Sequence, residues 1–116
     1  MLAAAHRLRD RRALAQVMRR GRYAAEPALS LKTTPNQLSY SRVVVVVSKK
    51  VSKKAVVRNR IRRRLAAILA GRWATVAPGY DIVVTVRTDV SAVAGPELTR
   101  RMLGLLTQAM LLPPSK

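Results

Sequence analysis

Five consecutive valines, Val43 to Val47, stand between Ser41-Arg42 and Ser48. An unbroken β-branched run of this length predicts a strand over 41–48, central in its sheet with both faces covered. YDIVVTVR, 80–87, follows APG at 77–79 and predicts a further strand. The weaker alternation of ALSLKT, 28–33, predicts a third, and the turn-forming TTPNQ after it suits a hairpin connection. Elsewhere the period changes to that of a helix. Asp10 is placed as an N-cap, Leu14, Val17 and Met18 follow at i, i+3 and i+4, and Gly21 stands where such a helix ends. In the longer segment from Lys53 to Gly71, Val57, Ile61, Leu65 and Ile68 fall within an arc of about 80°, with Leu69 just beyond it and Gly71 as the C′ residue. Gly95-Pro96-Glu97 opens a last helix through Leu98, Met102, Leu105, Leu106, Ala109 and Leu112, which Pro113-Pro114 stops.

The order helix, strand, strand, helix, strand, helix predicts a single α+β domain over 1–116, a mixed sheet packed by helices. If the strands at 42–48 and 80–87 are parallel neighbours, the general rule for helical crossovers makes theirs right-handed.

Charge changes this picture more than composition does. Twenty-three Lys and Arg face five Asp and Glu, a formal charge of +18, and the self-repulsion of such a surface opposes compaction unless a polyanion is present. Hydrophobic residues make up 49 % of the chain, which separates it from basic disordered tails. There is no Cys, so disulfides and thiolate metal sites are excluded. The start MLAAAHRLRDRR lacks the apolar region of a secretory signal, although its Arg-rich, acid-poor composition also suits an organellar transit peptide. No apolar run reaches the roughly 20 residues of a membrane helix. A soluble cytoplasmic protein is the expectation.

Groups for protein-borne catalysis are few. Besides Lys, Arg and Tyr, the titratable side chains are His6, Asp10, Glu26, Asp81, Asp89 and Glu97. His6 reads as a solvated or phosphate-contacting residue of an extended N-terminus, and Asp10 as a cap. Asp81 and Asp89 flank one strand at a spacing that matches no metal-ligand motif. There is no Gly-rich phosphate loop. A protein-only nuclease would have to rest on Asp81 or Asp89.

The cations, by contrast, cluster. Between Glu26 and Asp81 there is no carboxylate and there are twelve Lys and Arg, seven of them within Lys53 to Arg64. A solvated helix face normally mixes signs so that i,i+4 pairs support the helix, whereas here every near neighbour repels. An anionic membrane is the lesser partner, because the apolar side of this helix carries small aliphatics and neither Trp nor Phe. Guanidinium groups pair with phosphate and stack on bases, no DNA-recognition arrangement is evident, and folded RNA is the expected partner.

SKKVSKKAVVRNRIRRRL, Ser48 to Leu65, resembles the signature of the protein subunit of bacterial ribonuclease P, with Arg58, Asn59 and Arg60 matching its R-N-R core. HRLRDRRALAQVMRRG, His6 to Gly21, is similar to that family's first helix, and DIVVTVR to its last strand. The resemblance implies a fold like domain 2 of ribosomal protein S5, with a left-handed crossover in place of the right-handed one. It implies an accessory subunit, with no catalytic residue of its own, that assists a catalytic RNA in removing the 5′ leader of precursor tRNA, one protein per RNA, with Mg²⁺ held mainly by the RNA. No membrane and no small-molecule substrate enter. Contacts to the catalytic RNA are implied for Lys49, Lys50, Lys53, Lys54, Arg58, Asn59, Arg60, Arg62, Arg63 and Arg64. A leader cleft is implied at Leu14, Met18, Lys32 and Arg42. The family usually has Phe at the positions of Leu14 and Met18, often an aromatic near Lys32, and Gly at Val44. A purely structural RNA-binding protein of the ribosome or another particle is the alternative.

Overall fold

The computed structural model describes residues 2–113. After a short 3-10 turn at Ala4–His6 come α1 (Arg11–Arg20), β1 (Arg22–Ala25), β2 (Leu29–Pro35), β3 (Arg42–Val46), α2 (Ala55–Arg72), a second 3-10 turn at Trp73–Thr75, β4 (Tyr80–Val86) and α3 (Gly95–Gln108). The fold is α+β, with one four-stranded mixed sheet in the order β1-β2-β4-β3. β1/β2 and β2/β4 are antiparallel, and β3 runs parallel to β4.

Three expectations change. RYAA at 22–25 is an additional edge strand that four residues of weak alternation do not announce. The hairpin joins β1 to β2, where the Glu26 carboxylate accepts the backbone N–H groups of Ala28 and Leu29. TTPNQ makes no hairpin, because β4 inserts between β2 and β3. Third, the valine run is an edge strand: Ile82, Val83 and Val84 of β4 are fully covered, whereas Val44 and Val45 are half-buried and Val46 is exposed. Branched side chains favour the pleated conformation at an edge as at a centre. The outer edge of β3 is covered in part by the N-terminal segment, where Leu8 N donates to Val43 O at 2.9 Å.

The two faces of the sheet differ in weight. Leu29, Leu31, Val43, Ile82, Val84 and Val86 form the main core with α2 and α3. Residues of the opposite parity meet α1 in a small second cluster of Leu8, Val17 and Val83, edged by Ala13, Leu14 and Val44. On α2 the buried row is Ile61, Leu65 and Leu69, with Val57 and Ile68 at its margins. Gly71 lies inside the last turn of α2, and a Cβ there would meet nothing within 4 Å, so it is no C′ residue.

Helix ends are decided by local chemistry. Asp10 caps α1 by accepting Arg12 N at 2.9 Å. Gly21 ends it through close approach: a Cβ would stand 2.4 Å from Val17 O and 2.9 Å from Lys32 Cβ. α3 stops at Gln108, so Ala109 and Leu112 lie beyond it and Pro113 does not end it. Met110 takes φ +64°, Met110 N donates to Thr107 O at 3.0 Å, and Leu111 N donates to Leu106 O at 2.9 Å. This is a Schellman turn with methionine where glycine is the usual residue.

Candidate RNA interface

The expected RNA contacts divide by what their side chains already hold. Lys49 and Lys50 are exposed on the turn after β3, and Lys53, Lys54, Asn59, Arg60 and Arg63 are exposed on and before α2. The N-terminus of α2 has no side-chain cap and no acidic residue in its first turn, and Lys54 stands at its N-cap. Cations at that end oppose the helix dipole, and a phosphate there would satisfy both dipole and free N–H groups. Arg58 is half-buried and donates through Nη1 to Ser52 O at 2.9 Å, which pins the lysine-bearing turn to the helix. Arg62 Nη2 donates to Asn59 Oδ1.

Arg64 stands apart. Its Nη1 donates to the carbonyls of Val90 and Ser91 at 3.1 and 3.2 Å, and its Nη2 to that of Val93. It lies beside the buried row, faces the 90–93 turn, and is spent on that turn's carbonyls, of which Val90 O also accepts Val93 N at 3.1 Å.

On the opposite face of the sheet the expected cleft residues do come together, with altered roles. Leu14 is half-buried against the Val17–Val83 cluster, while Met18 is 44 % exposed. Lys32 Nζ donates to Met18 O at 2.8 Å, closing the C-terminus of α1 with a cation as the helix dipole favours. Arg42 makes a two-pronged pair with Asp81, Nε to Oδ1 at 2.8 Å and Nη2 to Oδ2 at 2.7 Å, with the side chains 22 % and 6 % exposed. That bond raises the Arg42 pKa, holding it charged. Asn36 Nδ2 adds a further donor to Asp81 Oδ1 at 2.9 Å. Between α1 and these strand ends lies a polar groove of about 300 Å³, lined in part by Arg12, Gln16, Gln37 and Arg42.

One residue of this face was not anticipated. Tyr23 pairs directly with Lys32 across β1 and β2, so both project from the α1 side, and Tyr23 is 61 % exposed. The signal was the missed strand: once RYAA is a strand, Tyr23 must alternate with buried Ala24.

The five Asp and Glu side chains are all committed. Asp10 caps α1, Glu26 holds the β1–β2 turn, Asp81 holds Arg42, Asp89 accepts Ser91 N, and Glu97 is paired with Arg100. Among the described residues no group of three or more His, Asp or Glu side chains could hold a metal ion. His6 is not an extended solvated residue: its Nδ1 lies 3.2 Å from Ser41 O, and its ring packs edge-on to Tyr40 and tilted against Trp73.

A family model described as Ribonuclease P matches residues 2–110. The chain belongs to the ribonuclease P protein family. It is 40 % identical over 113 residues to the ribonuclease P protein component of a Pseudanabaena species, covering 97 % of each chain. Among solved structures, the ribonuclease P protein of Thermotoga maritima in complex with 1-(4-fluorophenyl)-2-thiourea is similar at a TM-score of 0.80 and 29 % identity, over 88 % of this chain and 98 % of that one. A Staphylococcus aureus ribonuclease P protein mutant with defective mRNA degradation activity shares the fold at a TM-score of 0.86 and 21 % identity, over 93 % of this chain and 91 % of that one. Within the ribonuclease P family frame, Arg58, Asn59 and Arg60 lie early in α2, and Leu14, Met18 and Lys32 lie on the far side of the sheet.

Proposed function

We propose that this chain is the protein component of a ribonuclease P ribonucleoprotein that removes the 5′ leader of precursor tRNA, one protein for each catalytic RNA. Family membership across residues 2–110 carries this reading beyond generic RNA binding. The carboxylate-free face of Lys49, Lys50, Lys53, Lys54, Arg60 and Arg63 supports docking on the RNA, with Arg58 holding the lysine turn in place. The α1 side of the sheet supports contact with the leader through Met18, Tyr23 and the aliphatic floor at Val44 and Val46. Tyr23 offers the stacking surface that the Leu14 and Met18 positions lack.

Hydrolysis belongs to the RNA in this proposal. Mg²⁺ supplies Lewis-acid and water-activating chemistry in phosphodiester hydrolysis, and the chain's own carboxylates do not fit as its site because each is committed elsewhere. The protein's part is to neutralise phosphates, position the leader, and so lower the cost of assembling the charged complex.

Cleavage of precursor tRNA by the cognate catalytic RNA at low magnesium, with and without this protein, tests the proposal. The wild type should stimulate cleavage, and an Arg58→Ala/Arg60→Ala variant should lose most of that stimulation. Its log–log salt slope for RNA binding should fall by about 1 to 2. Tight, salt-sensitive RNA binding without stimulation would assign the chain a purely structural RNA-binding role.

A further inference from the structure

Where the N-terminal segment lies along the outer edge of β3, a second groove opens between that segment, the strand and α2. It encloses about 340 Å³, walled by Leu2, Leu8, Val44, Val45 and Ala66, with Arg7, Arg9 and Arg62 around it. Among the described residues no carboxylate lines it. Two of the three guanidiniums are held in place and keep free donors: Arg7 Nη2 donates to Leu2 O at 3.1 Å, and Arg62 Nη2 to Asn59 Oδ1. Arg62 also makes the groove continuous with the cationic face of α2.

The combination narrows the occupant. The volume lies at the lower end of the range for small-ligand sites. Aliphatic walls suit the faces of a flat, weakly polar group, and a rim of three cations with no anion demands negative charge beside it. A neutral apolar peptide segment would leave those cations without partners. An unstacked nucleobase with its flanking phosphates meets both requirements, and guanidinium planes are surfaces on which such bases stack.

We propose that this groove receives one unstacked base of the bound RNA, with Arg9 and Arg62 contacting the adjoining phosphates. The inference rests on the RNA-binding reading and adds a base-accepting site on the outer edge of β3, which shares Leu8 and Val44 with the margin of the α1-side cluster.

Ala66→Leu fills the groove while keeping charge and helix propensity, and thermal unfolding checks that it folds. Two probes of equal charge are titrated: a hexa-adenylate, and a hexamer of abasic ribose phosphates. The wild type should prefer the adenylate by at least about fivefold, the low end of what one stacked base contributes, and Ala66→Leu should reduce that preference at unchanged salt slope, leaving the part that stacking on Tyr23 supplies. Undiminished preference in Ala66→Leu would overturn the groove assignment, as would equal, salt-sensitive binding of both probes by the wild type, which leaves RNA binding itself intact. Binding of neither probe would overturn both readings. Should Ala66→Leu fail to fold, photocrosslinking of 8-azido-adenylate to wild type decides: label on residues 2–9 or 43–45 supports the site, and label confined elsewhere overturns it.

Discussion

At the scale of single residues, exposure and hydrogen-bond partners separate side chains that look alike in the sequence. Arg60 and Arg63 project into solvent, whereas Arg64, one position on, closes the 90–93 turn through its carbonyls. Lys32 and Arg42 are similarly committed, to Met18 O and to Asp81, so the exposed side chains of Tyr23 and Met18 are the cleft surfaces left uncommitted, and Tyr23 is the aromatic one. Tyr23→Ala should weaken binding of leader-bearing precursor tRNA by about 1–3 kcal/mol while mature tRNA binds as before; equal losses on both, measured by equilibrium titration, would remove Tyr23 from leader contact. Met110 gives a second residue-scale prediction. A left-handed conformation costs a non-glycine residue about 1–2 kcal/mol, and Met110 is exposed, so its side chain contributes little packing. Met110→Gly should raise stability by about 0.5–1 kcal/mol after allowing for the greater freedom of glycine in the unfolded chain, read as a shift in urea midpoint.

Among elements, the junction of α1 with β2 controls the geometry of the cleft. Val17 is the buried anchor of α1, Lys32 ties the helix end to the strand, and Gly21 lets the two backbones approach. Because a Cβ at Gly21 would meet backbone as well as Lys32, Gly21→Ala should destabilise by about 1–3 kcal/mol, checked by urea denaturation. It should also impair leader binding more than binding to the catalytic RNA, since α2 packs on the other face of the sheet. α2 depends instead on the Ile61, Leu65 and Leu69 row, and its cations gain nothing from one another. That helix is stabilised by burial on one side and held under repulsion on the other.

For the whole molecule, the charge of +18 sets folding against self-repulsion until anions bind. Thermal unfolding at constant ionic strength should show Tm rising by several degrees when inorganic polyphosphate replaces chloride, through preferential binding to the folded state; an unchanged Tm would show that the folded cation surface holds anions no better than the unfolded chain does. The sequence by itself determined the three α-helices and the strands later numbered β2, β3 and β4, the cap at Asp10, the carboxylate-free run and the R-N-R core, because these depend on neighbours a few residues apart. Tertiary structure alone decided that β4 lies between β2 and β3, that the valine strand is an edge, and that Tyr23 shares a face with Lys32. It also decided which cations remain free. Pairings such as Arg42 with Asp81 and Arg64 with the 90–93 turn join residues far apart in the chain, and the period of hydrophobic positions carries no information about partners at that separation.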